Sequence, residues 1–242
     1  MMLTLALDTA TEIGSVAVGD GRLVLAEMSF GGRRHAAALL PAVHDVLDVV
    51  GATLDDLTTV VVADGPGSFT GLRIGWATVQ GLVRARDSIR VATAPSLLGA
   101  AWVGSQFSSG PVAALYDALR GEVYGAVSQL EADRLEVVLQ PTLGTVADLV
   151  EQSPVRPVLA VGDGAGVNRS AIEAWTGRAP LLPPVGSARA GALLALADLE
   201  GALRDIPDPT SCEPDYGRAA EAQVRWERQH GRPLPGSTGH AR

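Results

Sequence analysis

The sequence contains no lysine; all 19 basic side chains are arginine. That removes the lysine of a Walker A phosphate loop, Schiff-base chemistry and any lysine general base. Cysteine is nearly absent too, and Cys212 alone can form neither an intramolecular disulfide nor a multi-cysteine zinc or iron–sulfur site. The four histidines, His35, His44, His230 and His240, include no pair at the i, i+4 spacing that sets two imidazoles on one helix face for a metal. No serine lies in a G-x-S-x-G setting. No apolar run approaches the roughly 20 residues of a membrane-spanning helix. Met1 to Ala10 lacks a positive n-region and is interrupted at Asp8, so it reads as a strand rather than a secretory signal. A cytoplasmic protein with no membrane association is expected. Positive charge is also in deficit: the formal net charge is −8, a field that repels nucleic-acid phosphates. Any RNA substrate is therefore expected to be held by another subunit.

What is present is apolar: 47% of the 242 residues are hydrophobic, enough for one large core or two modest ones. Leu3 to Leu7 predicts a strand ending in the hydroxyl-rich loop Asp8-Thr9-Ala10-Thr11. Ser15–Val18 and Leu23–Ser29 predict a hairpin about the turn Gly19-Asp20-Gly21. From Arg33 to Val50, apolar residues recur at helical spacing, with Pro41 expected to kink the helix or mark its start. Val60–Ala63 reads as a buried strand, Thr70–Arg86 as a helix and Arg90–Thr93 as a short strand. A second unit opens near Pro111: strand Val112–Tyr116 ends at Asp117, strand Glu122–Gln129 follows, and Ala132-Asp133 turns into Leu135–Leu139. This repeats the opening order of strand, terminal aspartate, glycine-containing turn and hairpin. Val158–Val161 then precedes Gly162-Asp163-Gly164, and Ala188–Leu203 reads as a helix. The expected divisions are 1–107, 108–206 and a proline-rich extension over 207–242, frayed from Gly231.

Three groups of residues carry candidate chemistry. Asp64 to Gly75 (DGPGSFTGLRIG) lies between a strand and a helix, where backbone N–H groups, Ser68, Thr70 and Arg73 suit either a phosphate cradle or a capped turn. Gly71 and Gly75 stand on one helix face with Thr78. Glycine weakens a helix by about 1 kcal/mol relative to alanine, so a close neighbour is expected, within the chain or on another subunit. Asp8, Thr9 and Thr11, with Asp117 in the second half, suit a nucleotide-phosphate or hydrated-magnesium site, or simple turns. Gly162, Asp163 and Gly164 form a further glycine-rich loop.

In order, LALDTAT (5–11), Arg34-His35 to Leu40-Pro41, GPGSFTGLRIG (65–75), YDALRGEVY (116–124) and Gly162-Asp163-Gly164 resemble the TsaB proteins, also called YeaZ, over residues 3–220. The resemblance implies an α/β protein of two ribonuclease-H-like lobes with mixed sheets, the actin/Hsp70-like (ASKHA) fold, whose nucleotide cleft has degenerated. It implies a non-catalytic subunit supporting threonylcarbamoyl transfer to adenosine 37 of tRNAs reading ANN codons. The implied partners are the catalytic paralogue TsaD and the nucleotide hydrolase TsaE, with a homodimer as a further form and tRNA reached only through the complex. No cofactor is implied as a requirement, though ATP or ADP is allowed at the complex interface. The catalytic paralogue holds a metal through H-x-x-x-H, which this sequence lacks. Carried over by position, Arg34, His35, Leu39, Leu40, Val43, Gly71, Leu72, Arg73, Ile74, Gly75 and Thr78 are interface candidates, and Gly75→Arg is expected to give a soluble chain that no longer pairs. Asp8, Thr9, Thr11, Asp117, Gly162, Asp163 and Gly164 line the vestigial cleft. Departures from the family are Ala10, where serine is common, Leu119, where arginine is common, and Glu213-Pro214-Asp215-Tyr216-Gly217-Arg218, which matches the family's P-x-Y-x-R only loosely. Other readings of the fold are an active nucleotide phosphotransferase or ATPase using Asp8 and Asp117, and a peptidase.

Overall fold

The computed structural model describes residues 2–32, 34–84, 86, 88–217 and 229–230. Two sheets are built on one plan. In the first, β1 (Leu3–Asp8), β2 (Ile13–Asp20) and β3 (Leu23–Gly31) form an antiparallel meander, and β4 (Leu57–Ala63) and β5 (Arg90–Ala94) continue beside β1 in parallel. The two-residue β10 (Arg204–Asp205) closes the order β10-β5-β4-β1-β2-β3. In the second, β6 (Val112–Asp117), β7 (Val123–Glu131) and β8 (Arg134–Gly144) repeat the meander, and β9 (Leu159–Val161) lies parallel to β6. A strand, its hairpin, then a parallel strand, twice over, is the expected pair of ribonuclease-H-like lobes with mixed sheets.

The alternation of side chains along the strands decides which helix lies where. Leu3, Leu5, Leu7, Val60 and Val62 point to one face, where α1 (His35–Val49) and α2 (Phe69–Val83) cover them with Leu39, Val43, Val46, Trp76 and Val79. The opposite face carries Ala6, Ala17, Val61, Ala63, Ala92 and Ala94. These short side chains let α7 (Ala190–Ala195) approach β1 and β2, where Leu193 and Leu194 fill the space. In the second sheet, Leu115, Val123 and Val127 pack on α4 (Val146–Gln152), α5 (Asp163–Val167) and α6 (Arg169–Thr176).

Between the sheets lies α3 (Ser96–Ser105), which the helical-spacing argument missed. Eight of its ten residues are buried. Leu98 faces the α7 side while Leu97, Ala100 and Ala101 face the second sheet. A helix covered on both sides has no polar stripe and gives no amphipathic period to read.

The expected divisions need correction. Residues 190–206 do not belong with the second lobe: α7 packs on the first sheet and β10 hydrogen-bonds to β5 of that sheet. Ala190 N–H donates to Ser15 Oγ (2.8 Å) and Gly191 N–H to Glu27 Oε1 (2.8 Å), fixing the start of α7 to β2 and β3. The helix expected over Ala188–Leu203 is limited to residues 190–195, and turns and a bend follow over 196–202. Pro41 neither starts nor ends α1; it lies inside it, exposed. The proline-rich stretch expected as a tail is a strap over 207–217 lying along α2. Gln80 Nε2 donates to the carbonyls of Pro209 (3.0 Å) and Cys212 (3.2 Å), and Asp215 N–H donates to Asp64 O (2.7 Å). The fraying expected from Gly231 falls outside the described residues.

Candidate functional site

The cleft lies where the ends of β1 and β6 meet. Asp8 is buried at 1% exposure, its Oδ1 accepting the Ala10 N–H at 2.9 Å, while Oδ2 has no partner among the described residues. Burial pushes its carboxyl up to about 6, against the smaller pull of the Ala10 N–H. Thr9 Oγ1 is likewise buried without a partner, and Thr11 donates to Ile13 O at 3.1 Å. Across the cleft, Tyr116 is buried with its hydroxyl donating to Ser96 O at 2.9 Å. Its phenol is raised well above the ordinary range by burial, then by the nearby charges of Asp8 and Asp163.

The aspartates of the second lobe are occupied by their own backbone. Asp163 Oδ1 accepts the N–H groups of Asp117 (3.1 Å) and Gly164 (2.9 Å), so it ties α5 to the end of β6. Burial raises its carboxyl, and those two N–H groups oppose the rise. Asp117 Oδ1 accepts the Leu119 N–H at 2.9 Å, and Leu119 and Arg120 both take left-handed φ (65° and 58°) in the hairpin turn that follows. The glycines of this loop answer a packing need. Gly162 has φ 102°, and a Cβ there would overlap Leu115 O; one on Gly164 would lie 2.7 Å from the Tyr116 carbonyl carbon. The hollow lined by Thr11, Ile13, Tyr116, Asp163, Pro183 and Ser187 encloses about 110 Å³, well under the roughly 300–1,000 Å³ of small-molecule pockets. Among the described residues no three His, Cys, Asp or Glu side chains gather to hold a metal.

Because the Asp8 carboxyl is raised, the folded state holds its proton more tightly than the unfolded chain, whose aspartate titrates near 3.8. The stability from this group is present below 3.8 and is lost as pH rises towards 6, a difference of about 3 kcal/mol. Asp8→Asn keeps an acceptor for Ala10 and removes the ionisation. It is expected to raise stability by about 2–3 kcal/mol at pH 8 and by almost nothing at pH 3, as measured by denaturant unfolding at the two pH values. An equal effect at both would show that Asp8 ionises freely in the fold.

The helical face expected to carry the interface divides sharply. Gly71, Leu72 and Gly75 point inward and are buried. A Cβ on Gly71 would overlap Thr9 O, and one on Gly75 would lie 2.5 Å from Thr9 Oγ1. The glycine spacing therefore has a cause inside the chain, the approach of α2 to the β1 loop, and a meeting of two subunits is not needed to explain it. His35, Leu39 and Val43 also face the core, the His35 ring standing edge-on to Phe30 with centroids 5.6 Å apart. Of the eleven interface candidates, Arg34, Leu40 and Arg73 are exposed, and Ile74 and Thr78 half-exposed. The outward stripe of α2 is Thr70, Ile74, Ala77 and Thr78, mostly small residues. Beside it Leu40, Val43 and Leu47 of α1 and Leu82 of α2, together with His44, Asp48, Asp55 and Arg86, line a groove of about 470 Å³.

The chain matches over residues 27–173 a family model described as TsaD, tRNA N6-adenosine threonylcarbamoyltransferase. It is 31% identical over 230 residues, 93% of this chain and 98% of the relative, to the tRNA threonylcarbamoyladenosine biosynthesis protein TsaB of Bacillus subtilis. The chain belongs to the TsaB (YeaZ) family. The TsaB of Escherichia coli is 37% identical over 59% of this chain and 64% of its own length. Among solved structures, YeaZ from Pseudomonas aeruginosa superposes with a TM-score of 0.69 at 30% identity, covering 81% of this chain and 91% of that one. A second chain, described as similar to peptidase YeaZ from that organism, gives 0.74 at 29% identity over 90% of this chain and all of that one.

Proposed function

We propose that this TsaB-family protein serves threonylcarbamoyladenosine synthesis in tRNA as a non-catalytic subunit. Its outward α1/α2 face binds the catalytic TsaD-like paralogue, and a TsaE-like ATPase joins the assembly. The observation that supports the non-catalytic part is the small size of the hollow, about 110 Å³, with one oxygen each of Asp117 and Asp163 taken by neighbouring N–H groups. The names of the B. subtilis and E. coli relatives support the pathway. Of the described residues, no helix is long and apolar enough to cross a membrane; a place in the cytoplasm is part of this proposal. In this reading tRNA is met only through the complex, no nucleotide is required in the cleft, and ATP or ADP binds, if at all, where the subunits meet. A homodimer using the same face would compete with the paralogue.

Threonylcarbamoyl transfer to tRNA, reconstituted from the same organism's pathway proteins with and without this chain, tests the reading. Activity is expected to depend on the chain and to survive Asp8→Asn within about twofold, since a group outside the chemistry carries none of the 10²–10⁴-fold of a general acid or base. Full transfer without the chain would overturn the role. Loss of transfer with Asp8→Asn in a folded protein would restore a catalytic cleft.

A further inference from the structure

The strap over 207–217 does more than cover α2: it takes hold of one cation. Phe69, Arg73 and Gln80 lie on one stripe of α2, and the strap runs along it. The Arg73 guanidinium carbon sits 4.2 Å above the Phe69 ring, its Nε donates to the Tyr216 hydroxyl at 3.0 Å, and the Phe69 and Tyr216 rings lie 4.7 Å apart. The strap is itself anchored just before this contact. Gln80 holds the Pro209 and Cys212 carbonyls, and Asp215 N–H donates to Asp64 O beside Gly65, where a Cβ would overlap the Asp215 carbonyl.

We propose that the strap makes Arg73 a preorganised carboxylate receptor at the rim of the open α1/α2 face, where it takes an aspartate or glutamate of the protein partner seated there. The proposal rests on the reading that this face binds the paralogue. Arginine loses about 2 kcal/mol of rotamer freedom when ordered; stacking and the Tyr216 contact remove that freedom before any partner arrives. With Nε occupied, the two terminal nitrogens have no acceptor among the described residues, and their paired N–H groups match the two oxygens of a carboxylate. Arg73 stands next to the free stripe of Thr70, Ile74, Ala77 and Thr78, so a side chain reaching it would come from whatever packs on that stripe. Phosphate offers the same geometry, but a chain of formal charge −8 turns away a polyanion.

The test is calorimetric titration of the full chain with the same organism's TsaD-like paralogue, at low and at 0.5 M salt. Arg73→Ala is expected to weaken binding about tenfold, the scale of a hydrogen bond to a charged group. Arg73→Lys should lose nearly as much, because an ammonium has neither the fork nor the stacked plane. Tyr216→Phe keeps the ring and removes the acceptor; a loss of about threefold is expected in the wild-type background and none in the Arg73→Ala background, because Tyr216 acts through Arg73. The salt sensitivity of binding should fall in Arg73→Ala. If the wild-type chain binds and both Arg73 variants bind within twofold of it, the receptor does not exist, though the docking face stands. If Tyr216→Phe costs the same in both backgrounds, the strap does not act through Arg73. If Arg73→Ala breaks a homodimer and leaves paralogue binding intact, the carboxylate belongs to a second copy and the proposal fails. No binding by the wild-type chain removes the docking face itself.

Discussion

Gly71→Ala is expected to lower stability by about 3 kcal/mol or more, and Gly75→Arg to leave little folded protein. Alanine ordinarily gains about 1 kcal/mol over glycine inside a helix, so the expected sign is opposite to what propensity gives. The difference lies in the Thr9 loop: a Cβ at position 71 would overlap a backbone carbonyl oxygen, and backbone cannot swing aside as a side chain can. Overpacking of this kind costs about 1–3 kcal/mol and occasionally more. At about 2–4 °C per kcal/mol for a chain of this size, the melting temperature should fall by roughly 6–12 °C. For Gly75, which is buried, a Cβ would already lie against Thr9 Oγ1 and Val62, so an arginine there must displace the β1 loop. The earlier expectation of a soluble Gly75→Arg chain that merely fails to pair is thereby replaced. Thermal unfolding of Gly71→Ala beside the exposed control Ala77→Ser, expected within about 0.5 kcal/mol of wild type, checks the account. A Gly71→Ala protein as stable as the control would mean that α2 does not lie against the β1 loop.

The second large effect concerns the outward face. Leu40→Glu, at a position 54% exposed in the isolated chain, is expected to leave the melting temperature within about 2 °C of wild type. It should weaken paralogue binding about 100-fold, because docking would bury an unpaired carboxylate beside Val43, Leu47 and Leu82 in a groove that already holds Asp48 and Asp55. Thr78→Glu, on the neighbouring stripe of α2, should act in the same direction. Circular dichroism with calorimetric titration separates the two readouts. If both variants bind as the wild type does, the partner sits elsewhere, and the exposed Leu23, Val24 and Met28 of edge strand β3 become the surface to test.

The same distinction between inward and outward faces explains which parts of the fold and site were legible in the letters. Strands β1, β4 and β6 were readable because each is a run of apolar residues closed by an aspartate, and the hairpins because glycine and aspartate mark their turns. The cleft was readable as a set of residues but not as an arrangement. The order of the letters places Asp117 and Asp163 at strand ends, yet their mutual tie through the Asp117 N–H needs β6 and β9 side by side. Tyr216 and Arg73 are 143 positions apart, and nothing in either segment announces that the strap brings them within 3.0 Å.

Composition and local pattern by themselves determined the excluded chemistries, the repeated strand and hairpin plan and the family resemblance, since each depends on residue identity and near-neighbour order. Only the tertiary structure decided that Gly71 and Gly75 serve an internal contact, that α7 and β10 return to the first sheet, and that α3 fills the space between the lobes. The physical reason is common to all three. A helical period shows that a face is covered, while the identity of what covers it is set by packing between segments far apart in the chain.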